Sequence, residues 1–483
     1  MFLWIGSAIL IFLLTLVINA VRLTSKQQQF SPLSIKVDTP NAIQRFAGTI
    51  HFQTIFDNRS KECDGSLFLA LHQYLQKTFP LLHRTLKQEV INQYSLLYQW
   101  AGKSSELPPI LLMSHLDVVP IEPQTEDQWQ YPPFSGAVEN GFVWGRGTLD
   151  FKTGAAAIME SIEMLLQEGF QPERTIYLAL GHDEETGGTH GGFQIAKYLE
   201  TQKIYFEYIL DEGIPIIQGM IPGISLPIAP VSIAEKGFVN IRLTVQTEGG
   251  HASTPPARTA LGILSTAIHD LESHQMPIQW ASPIPEMFTY LSPEMPFRYR
   301  LVFSNLWLFK PLIQYQLSKS PPTNALLRTT MAATMMSGGV KENILPQKAS
   351  AVINCRILPQ DSIQEVLEHI RRTVQNSQVE IQILHGPSSE PSEITNLDTR
   401  SLRILQRTIG QIYPNTIFTP ALLVGTTDSR HYHNLTDNTF RFSPWLVNQE
   451  DLYRIHGVNE RISIQAYEQC VQFYYQLLFN SAQ

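Results

Sequence analysis

The residues best suited to chemistry in this sequence lie directly after a short apolar run. Residues 110–113 are Ile, Leu, Leu and Met, and Ser114, His115, Leu116 and Asp117 follow them. Such a run predicts a buried strand, and α/β sheets place their chemistry at the carboxyl ends of strands. Because side chains alternate along a strand, His115 and Asp117 point the same way, so the carboxylate can fix the imidazole tautomer and leave one nitrogen for a metal. The pair alone also fits a structural hydrogen-bonded contact.

Acidic residues recur in the same setting further along the chain. Asp150 lies in a glycine-punctuated turn that leads into an amphipathic helix. Glu184 and Glu185 follow a second apolar strand, and Asp211 follows a third. Helical crossovers between these strands imply a mainly parallel sheet, whose strand ends meet at one edge.

His456 near the C-terminus adds a further imidazole to these acids. If all of these groups share one site, the crowded carboxylates repel each other, so the site is expected to hold a metal. Oxygen and imidazole donors without thiolates suit Zn²⁺, with Mn²⁺ or Co²⁺ as substitutes. Adjacent residues cannot easily aim at one point, so one of Glu184 and Glu185 is expected to bind metal while the other carries protons at the substrate. That division is typical of metal-assisted hydrolysis.

Length and composition limit the class of protein. The 483 residues exceed one ordinary core and favour two domains. An apolar content of 43% with 16% charged residues is typical of a soluble globular enzyme, and a net charge of −8 disfavours a general nucleic-acid binder. Three widely spaced cysteines, Cys63, Cys355 and Cys470, give neither a disulfide framework nor a thiolate metal site.

The N-terminal residues predict a membrane helix. Residues 2–21 carry no charge, and about 20 apolar residues suffice to cross a bilayer. We interpret residues 1–23 as an uncleaved transmembrane or signal-anchor helix and residues 24–40 as a tether. A cleaved signal peptide is the alternative, although the basic n-region is missing and the cleavage pattern around Ala20 is poor. Arg22 and Lys26 favour a cytoplasmic body by the positive-inside rule.

The rest of the chain predicts a catalytic domain interrupted by a smaller α+β domain. Long alternating strands at 238–246 and 349–357 indicate a sheet with one wet face, and helices are predicted at 259–273 and 361–376. The predicted boundaries are 41–232 for the first catalytic part, 233–392 for the inserted domain and 393–483 for the second catalytic part. Residues 279–327, rich in Pro, Trp and Phe, are interpreted as an irregular insertion.

Six motifs, in this order, resemble a known family: SHLDVVP, WGRGTLDFKTG, HDEETGG, LDEG, GGHASTPP and IHGVNERI. They are similar to the M20 family of dinuclear zinc peptidases, and the C-terminal stretch resembles its branch of carboxypeptidase S (a Gly-X carboxypeptidase) and N-fatty-acyl-amino-acid synthase/hydrolases. The resemblance implies two Zn²⁺ per chain, with these metal ligands: His115, Asp150, Glu185, Asp211 and His456. It implies that Asp117 orients His115 and that Glu184 is the general base and acid.

The resemblance also implies substrate-binding positions. His251 would reach across a homodimer, formed through the inserted domain, to stabilise the oxyanion. Asn343 and Arg356 would hold a substrate carboxylate, and Thr427 belongs to a loop lining the site. Simpler readings are a turn residue for His251, a solvated strand residue for Arg356, a surface residue for His456 and a helix N-cap for Asp150.

The expected function is hydrolysis of the amide of an N-acyl amino acid or dipeptide with a free C-terminal carboxylate. A short-chain aminoacylase is the nearest alternative, and a membrane-tethered binding or scaffold dimer is the alternative of another class. The resemblance to the carboxypeptidase S branch implies that the catalytic part lies on the extracytoplasmic side. The positive-inside rule favours the opposite orientation. The aromatic residues Trp280, Phe303, Trp307 and Phe309 either line an apolar channel for long acyl chains or pack in a core.

Overall fold

The computed structural model describes residues 2–57 and 64–482, so Cys63 lies outside the described residues. The first half of the chain alternates helices and strands: α1 (Phe2–Arg22), α2 (Thr39–Ile50), α3 (Gly65–Thr78), α4 (Pro80–Thr85), β1 (Lys87–Ile91), β2 (Ser95–Trp100), β3 (Ile110–His115), β4 (Ala137–Glu139), β5 (Phe142–Trp144), α5 (Lys152–Gln167), β6 (Ile176–Gly181), α6 (Gly192–Thr201), β7 (Tyr208–Ile217) and β8 (Ile228–Glu235).

The second half contains the remaining elements: β9 (Gly237–Gln246), β10 (Gly250–His251), α7 (Ala260–Ser273), α8 (Ile284–Leu291), α9 (Phe297–Phe303), α10 (Leu306–Ser318), α11 (Pro321–Leu327), β11 (Thr330–Gly338), β12 (Ile344–Leu345), β13 (Lys348–Ile357), α12 (Ile363–Val374), β14 (Val379–Ile383), α13 (Arg400–Ile412), β15 (Ile417–Leu423), β16 (Thr439–Val447), α14 (Gln449–Leu452), β17 (Arg461–Ser463) and α15 (Ile464–Ser481).

An eight-stranded sheet forms the centre of the fold, in the order β1-β2-β6-β3-β7-β16-β8-β15. The central strands β6, β3, β7 and β16 run parallel to one another, as β8 and β15 do. Strand β2 pairs antiparallel with β1 and β6, and β16 pairs antiparallel with β8. Strands β3 and β6 are buried along their whole length because helices cover both faces of the sheet. The predicted mainly parallel α/β fold is confirmed, and the ends of β3, β6 and β7 lie side by side.

A second sheet, of four antiparallel strands in the order β11-β13-β9-β14, follows the first. Side chains of β13 alternate between buried and half-buried, as the sequence predicted for a sheet with one covered face. Helices α7 and α12 supply the apolar residues that cover that face. The chain passes from the first sheet to the second between Glu235 and Gly237, three residues after the predicted boundary at 232.

The insertion at 279–327 is helical, so its prediction as irregular was wrong. Helices α8 to α11 fill it, and prolines occupy the second position of α8 and the first two positions of α11. Proline is favoured there because the missing N–H has no helical partner to lose. The rings of Trp280, Phe288 and Phe303 stack on one another in an apolar cluster. Core packing therefore accounts for Trp280 and Phe303.

The N-terminal helix α1 is long and apolar enough to cross a membrane, with a mean hydropathy of 2.3 over Leu3–Arg22 and little burial. Signal sequences meet the same two criteria. The following segment, predicted as a tether, is held against the body. The side chain of Gln27 exchanges hydrogen bonds with the backbone of Phe418 at 3.0 and 2.9 Å, and the backbone N–H of Leu33 donates to Gln411.

Candidate metal centre and substrate cavity

The carboxyl end of β3 presents His115 as the first member of an acidic and imidazole cluster. Its Nε2 lies 3.1 Å from Oδ1 of Asp150. Its Nδ1 faces two oxygens of Asp117, the carbonyl at 3.0 Å and the carboxylate at 3.3 Å. Because both neighbours of Nδ1 are acceptors, the proton of a neutral imidazole belongs there, and Nε2 keeps a lone pair for a metal.

Asp117 also fixes the two glutamates that follow β6. Its fully buried carboxylate accepts the backbone N–H of Glu184 at 3.2 Å and that of Glu185 at 3.1 Å. One side chain therefore orients an imidazole on one strand end and two carboxylates beyond the next. Contacts of this kind orient the side chains that bind a metal.

Asp150 lies between two imidazoles. Its Oδ2 is 2.9 Å from Nε2 of His456, which is also 3.2 Å from Oε1 of Glu185. The helix α5 begins after Phe151 without a side-chain cap, so the alternative of Asp150 as an N-cap does not describe its contacts. Burial by itself raises the pKa of Asp150, but hydrogen bonds from both histidines lower it overall.

A buried ion pair joins the Asp150 turn to the His456 loop. The carboxylate of Glu460 accepts the backbone N–H groups of Gly147 at 3.0 Å and Leu149 at 2.7 Å, and it pairs with Arg146 at 2.5 Å. Arg146 also donates to the carbonyl of His456 at 3.0 Å. The sequence reasoning missed this pair, although Glu460 lies within the IHGVNERI motif and Arg146 within WGRGTLDFKTG.

The acidic residue of β7 that faces His115 is Glu212, not Asp211, which the sequence analysis named. Oε1 of Glu212 lies 3.6 Å from Nε2 of His115. The Asp211 carboxylate is directed away, where it accepts the N–H of Glu212 at 2.9 Å and that of Ser429 at 2.9 Å. The LDEG motif contains both acids, and the sequence alone did not say which one faces the site.

A bulge in β7 produces this difference. The pairing of β7 with β16 shifts register between Asp211 and Ile214, which leaves Glu212 and Gly213 outside the ladder. Bulges next to functional sites re-aim a side chain in this way. A Cβ on Gly213 would lie 2.3 Å from the carbonyl carbon of Arg441, so glycine permits the close approach of the two strands.

The resulting donor set fits divalent metal ions. Ligand atoms of His115, Glu184 and Glu212 lie within 4.8 Å of one another, and so do those of His115, Asp150 and Glu185. Burial and repulsion from Glu212 raise the pKa of Glu184 well above its ordinary value, and burial raises that of Glu212 to about 8. Such crowded carboxylates need either protons or cations, and imidazole and oxygen donors suit Zn²⁺.

The cluster forms one wall of a cavity of about 610 Å³. Two guanidinium groups line the same cavity, and their carbons lie 5.4 Å (Arg356) and 5.7 Å (Arg430) from the ring centre of Phe238. Nη2 of Arg430 is buried without a hydrogen-bond partner among the described residues. Arg356 was predicted from the sequence. Arg430 was missed as an individual residue, although its loop was singled out.

Thr427 lines the same cavity and is anchored from behind. Its backbone N–H and hydroxyl both donate to Glu235, at 2.9 and 3.1 Å, and its hydroxyl lies 2.7 Å from that of Ser429. Glu235 is paired in turn with the buried Arg441 at 3.2 Å. The loop 425–430 is therefore fixed before any substrate arrives.

His251 and Asn343 lie outside the cavity lining of their own chain. His251 is exposed at the end of β10, where its Nδ1 is 2.7 Å from the hydroxyl of Ser253. Asn343 is exposed beside it, since its carbonyl accepts the N–H of Ala252 at 3.1 Å. The structure thus brings these two predicted residues to each other and leaves both apart from the acidic cluster.

Comparison with known proteins places the chain among metallopeptidases. Residues 111–480 match the model of "Peptidase family M20/M25/M40". A probable carboxypeptidase S-like 2 of Dictyostelium discoideum is 42% identical over 97% of this chain and 92% of its own length. The N-fatty-acyl-amino acid synthase/hydrolase PM20D1 of Xenopus tropicalis is 38% identical over 96% of this chain and 90% of its own.

A solved structure shares the fold. The M20 family metallo-carboxypeptidase Sso-CP2 from Sulfolobus solfataricus superposes with a TM-score of 0.68 at 17% identity, over 90% of this chain and 98% of that one.

Proposed function

Since this chain belongs to peptidase family M20/M25/M40, a family of metal-dependent hydrolases, we propose that it is a dinuclear zinc hydrolase of N-acyl amino acids or dipeptides with a free C-terminal carboxylate. One observation carries the proposal: acidic and imidazole donors line the same cavity as the guanidinium of Arg356. The donors suit metal-assisted hydrolysis, and the guanidinium suits a carboxylate in forked geometry.

Five residues would hold the two metal ions. His115 and Glu212 would bind one, Glu185 and His456 the other, and the carboxylate of Asp150, which contacts both imidazoles, would bridge them. This set keeps the sequence prediction except that Glu212 replaces Asp211. When bound, a zinc pair supplies a Lewis acid that polarises the scissile carbonyl and lowers the pKa of water.

Glu184 is the residue we propose as proton carrier. It lines the cavity, is held by its backbone to Asp117, and stands next to Glu185 on the same short turn. A carboxylate there can take a proton from the attacking water and deliver it to the departing amine. Arg356 would hold the substrate carboxylate and so set which amide is presented, with Thr427 on the adjoining wall.

The names of the relatives point to two different substrate classes. One is named for carboxypeptidase activity and another for synthesis and hydrolysis of N-fatty-acyl amino acids. A panel of Gly-X dipeptides, N-oleoyl and N-acetyl amino acids distinguishes these from the short-chain aminoacylase alternative. We expect all productive substrates to lose turnover when their carboxylate is amidated, because Arg356 then lacks its partner.

The exposed ribbon of β10 and β12 supports a homodimer. His251 and Asn343 lie outside the cavity of their own chain, so a second copy is needed to bring them to a site. In that arrangement His251 would stabilise the oxyanion of the partner's reaction. The apolar α1 would anchor the dimer to a membrane, with the catalytic part on the extracytoplasmic side.

The decisive experiment compares the full chain with Glu184→Gln. We expect about two zinc ions per chain in both proteins, as a two-metal site requires, and a fall in kcat of about 10²- to 10⁴-fold in the variant, as for a lost general base. An Arg356→Lys variant should instead raise KM, since a lysine cannot form the fork. Retained turnover in metal-loaded Glu184→Gln, or well under two metal equivalents in the parent, would refute the proposal and favour a binding module.

A further inference from the structure

The insertion packs directly on the N-terminal helix. The ring of Trp307 at the start of α10 meets that of Phe12 in α1 edge-on, with 6.0 Å between centroids. Nδ2 of Asn305 donates to the carbonyl of Leu16 at 3.0 Å, and Asn19 donates to Oδ1 of Asn305 at 2.8 Å. These polar contacts fix the relative position of α1 and the α9–α10 segment.

A second contact lies at the other end of the same interface. Nη2 of Arg300 in α9 donates to the carbonyls of Ala20 at 3.0 Å and Leu23 at 3.4 Å, where α1 ends. Leu16 and Ala20 are buried by this packing, whereas the rest of α1 is almost entirely exposed. The insertion thus covers one stripe of a helix whose remaining surface is apolar.

Helix α10 continues that apolar surface. Trp307, Leu308, Leu312 and Tyr315 are all exposed, with Trp307 62%, Leu312 60% and Tyr315 60% accessible. Leu308 and Leu312 are four residues apart and Leu312 and Tyr315 three, and Trp307 adjoins Leu308, so the four side chains share one face of the helix, opposite the buried Ile313. Because Trp307 touches Phe12, this stripe and the exposed side of α1 form one continuous apolar surface, which we call the α1–α10 face.

The chain segments that form this face carry basic and no acidic side chains. Residues 295–328 contain Arg298, Arg300, Lys310, Lys319 and Arg328 and no acidic residue, in a chain whose net charge is −8. Residues 1–37, which include α1, contain three basic residues and no acid. Anionic lipid headgroups attract such segments, and Trp and Tyr are enriched at the membrane interface.

We propose that α10 is a second membrane-contacting element, whose exposed apolar stripe lies against the lipid of an anionic bilayer beside α1 and holds the catalytic body at the membrane. The helix carries an apolar stripe of aromatic and aliphatic side chains with lysines at its borders, as membrane-contacting helices do. Continuity with α1, itself long enough to cross a bilayer, identifies the occupant of this surface as lipid.

The proposal deepens the proposed hydrolase function, on which its kinetic part rests. The buried side of the insertion packs against Leu422 of β15, and the next residue, Leu423, lines the catalytic cavity. Strand β15 therefore contacts the insertion through Leu422 and the cavity through Leu423. An N-acyl amino acid with a long chain partitions into lipid, so the enzyme would meet this substrate at the bilayer surface.

Spin labels on the full chain test the contact without any measurement of activity. Leu312→Cys is labelled in a Cys63→Ser background, since Cys355 and Cys470 are buried. Val90→Cys is the matched control: Val90 is 53% exposed, and its strand β1 lies at the sheet edge opposite β15, against which the insertion packs. Both proteins are reconstituted in vesicles of phosphatidylcholine with phosphatidylserine.

We expect the label at 312 to collide several-fold more with oxygen, and several-fold less with a water-soluble nickel chelate, than the label at 90. Equal accessibility at the two positions would overturn the proposal. Dipolar broadening at position 312 that disappears on dilution with unlabelled chain would also overturn it, because the surface would then bind a second copy. In vesicle flotation, we expect Leu312→Glu to depend on anionic lipid less than the parent chain does. The same lipid dependence in both proteins would mean that α10 does not contribute.

A kinetic comparison then tests the consequence. Leu312→Glu should raise KM several-fold for an N-oleoyl amino acid presented in vesicles and leave KM for a soluble N-acetyl amino acid unchanged. An equal change for both substrates would contradict the role of the bilayer in substrate delivery. If neither substrate is hydrolysed by the parent chain, the proposed function fails while the label measurement still decides the membrane contact.

Discussion

Asp117 controls two parts of the candidate metal centre at once. Its carboxylate faces Nδ1 of His115 and accepts the backbone N–H groups of Glu184 and Glu185. All of its contacts are donors, and it is fully buried. A neutral amide at this position would place its own NH₂ group against at least one of these donors.

We therefore predict that Asp117→Asn lowers metal affinity or kcat/KM by about 10- to 100-fold, the range seen for partners of metal ligands. Zinc competition titration and steady-state kinetics measure the two quantities. Asp64→Asn, which changes an exposed helix cap, is the control and should leave both unchanged. Unaltered metal affinity and unaltered kcat/KM in Asp117→Asn would contradict the orienting role.

The neighbouring acids of β7 allow a direct comparison. Glu212 faces His115, whereas Asp211 accepts the N–H of Ser429. We predict that Glu212→Gln reduces bound zinc from two to about one ion per chain, because a two-metal site loses a ligand. Asp211→Asn should keep both ions and lose thermal stability instead. The reverse pattern in metal analysis would restore Asp211 as the ligand.

His182 gives a pH dependence that can be isolated. It is buried beside the rings of Phe56, Phe68 and Tyr94, and its Nδ1 lies 2.7 Å from the hydroxyl of Ser95. Burial lowers its pKa from 6.5 to about 4. Between these two values the unfolded chain binds a proton that the folded chain does not, so stability is lost as pH falls from 6.5 to 4.

The difference corresponds to about 3 kcal/mol at 1.36 kcal/mol per pKa unit. We predict that His182→Gln lacks this contribution, so its free energy of unfolding falls less than that of the parent over the same interval. Urea titrations at pH 6.5 and 4 measure it. His385→Gln, at an exposed position, should behave as the parent does. Parallel pH profiles for His182→Gln and the parent would contradict the prediction.

At the scale of elements, the bulge in β7 decides which acid reaches the site. Strand β16 approaches Gly213 so closely that a Cβ there would lie 2.3 Å from the Arg441 backbone. An added methyl group must therefore move one of the two strands, and overpacking of this kind costs about 1–3 kcal/mol. The displacement would also move Glu212.

We predict that Gly213→Ala lowers the free energy of unfolding by about 1–3 kcal/mol and weakens zinc binding. Gly262→Ala is the matched control, since a Cβ at Gly262 meets only Thr259 at 3.5 Å and alanine is the better residue inside helix α7. Chemical denaturation and zinc titration of both variants measure the effects. Normal zinc affinity in Gly213→Ala would show that the bulge does not position Glu212.

At the scale of the whole molecule, one edge of the smaller sheet is open. Strand β11 lies at that edge, and its side chains from Ala332 to Gly338 are exposed, with Met335 68% accessible. An exposed apolar edge strand is a template for pairing with another chain. The same sheet region carries β10 and β12, whose His251 and Asn343 lie away from their own cavity.

We predict that the chain is a homodimer by light scattering and that Met335→Lys shifts it towards the monomer. A mixture of two inactive variants tests the shared site. Glu184→Gln and His251→Ala homodimers should each be inactive, whereas their mixed dimer should regain activity in the one site that has both residues. Failure to regain activity after confirmed exchange of subunits would contradict the contribution of His251 across the dimer.

Much of the fold and of the site was already determined by the sequence. Apolar runs of strand length gave β3 and β6 within two residues, and alternation gave β9 and β13. These patterns are local, since burial on one or both faces dictates the period of apolar residues. The ends of these strands indicated His115, Glu184 and Glu185, whereas the roles of Asp150 and His456 were expected from the resemblance to the M20 family.

Tertiary structure decided what depends on residues distant in sequence. The register shift between β7 and β16 selects Glu212 over Asp211. The Arg146–Glu460 pair joins two loops more than 300 residues apart, at 2.5 Å, and the helical insertion lies against α1. Local sequence patterns do not predict these contacts, because the contacts depend on how closely two backbones approach and on which buried charges form pairs. The sequence specified which donors meet at the sheet edge, and packing specified which of them face the same point.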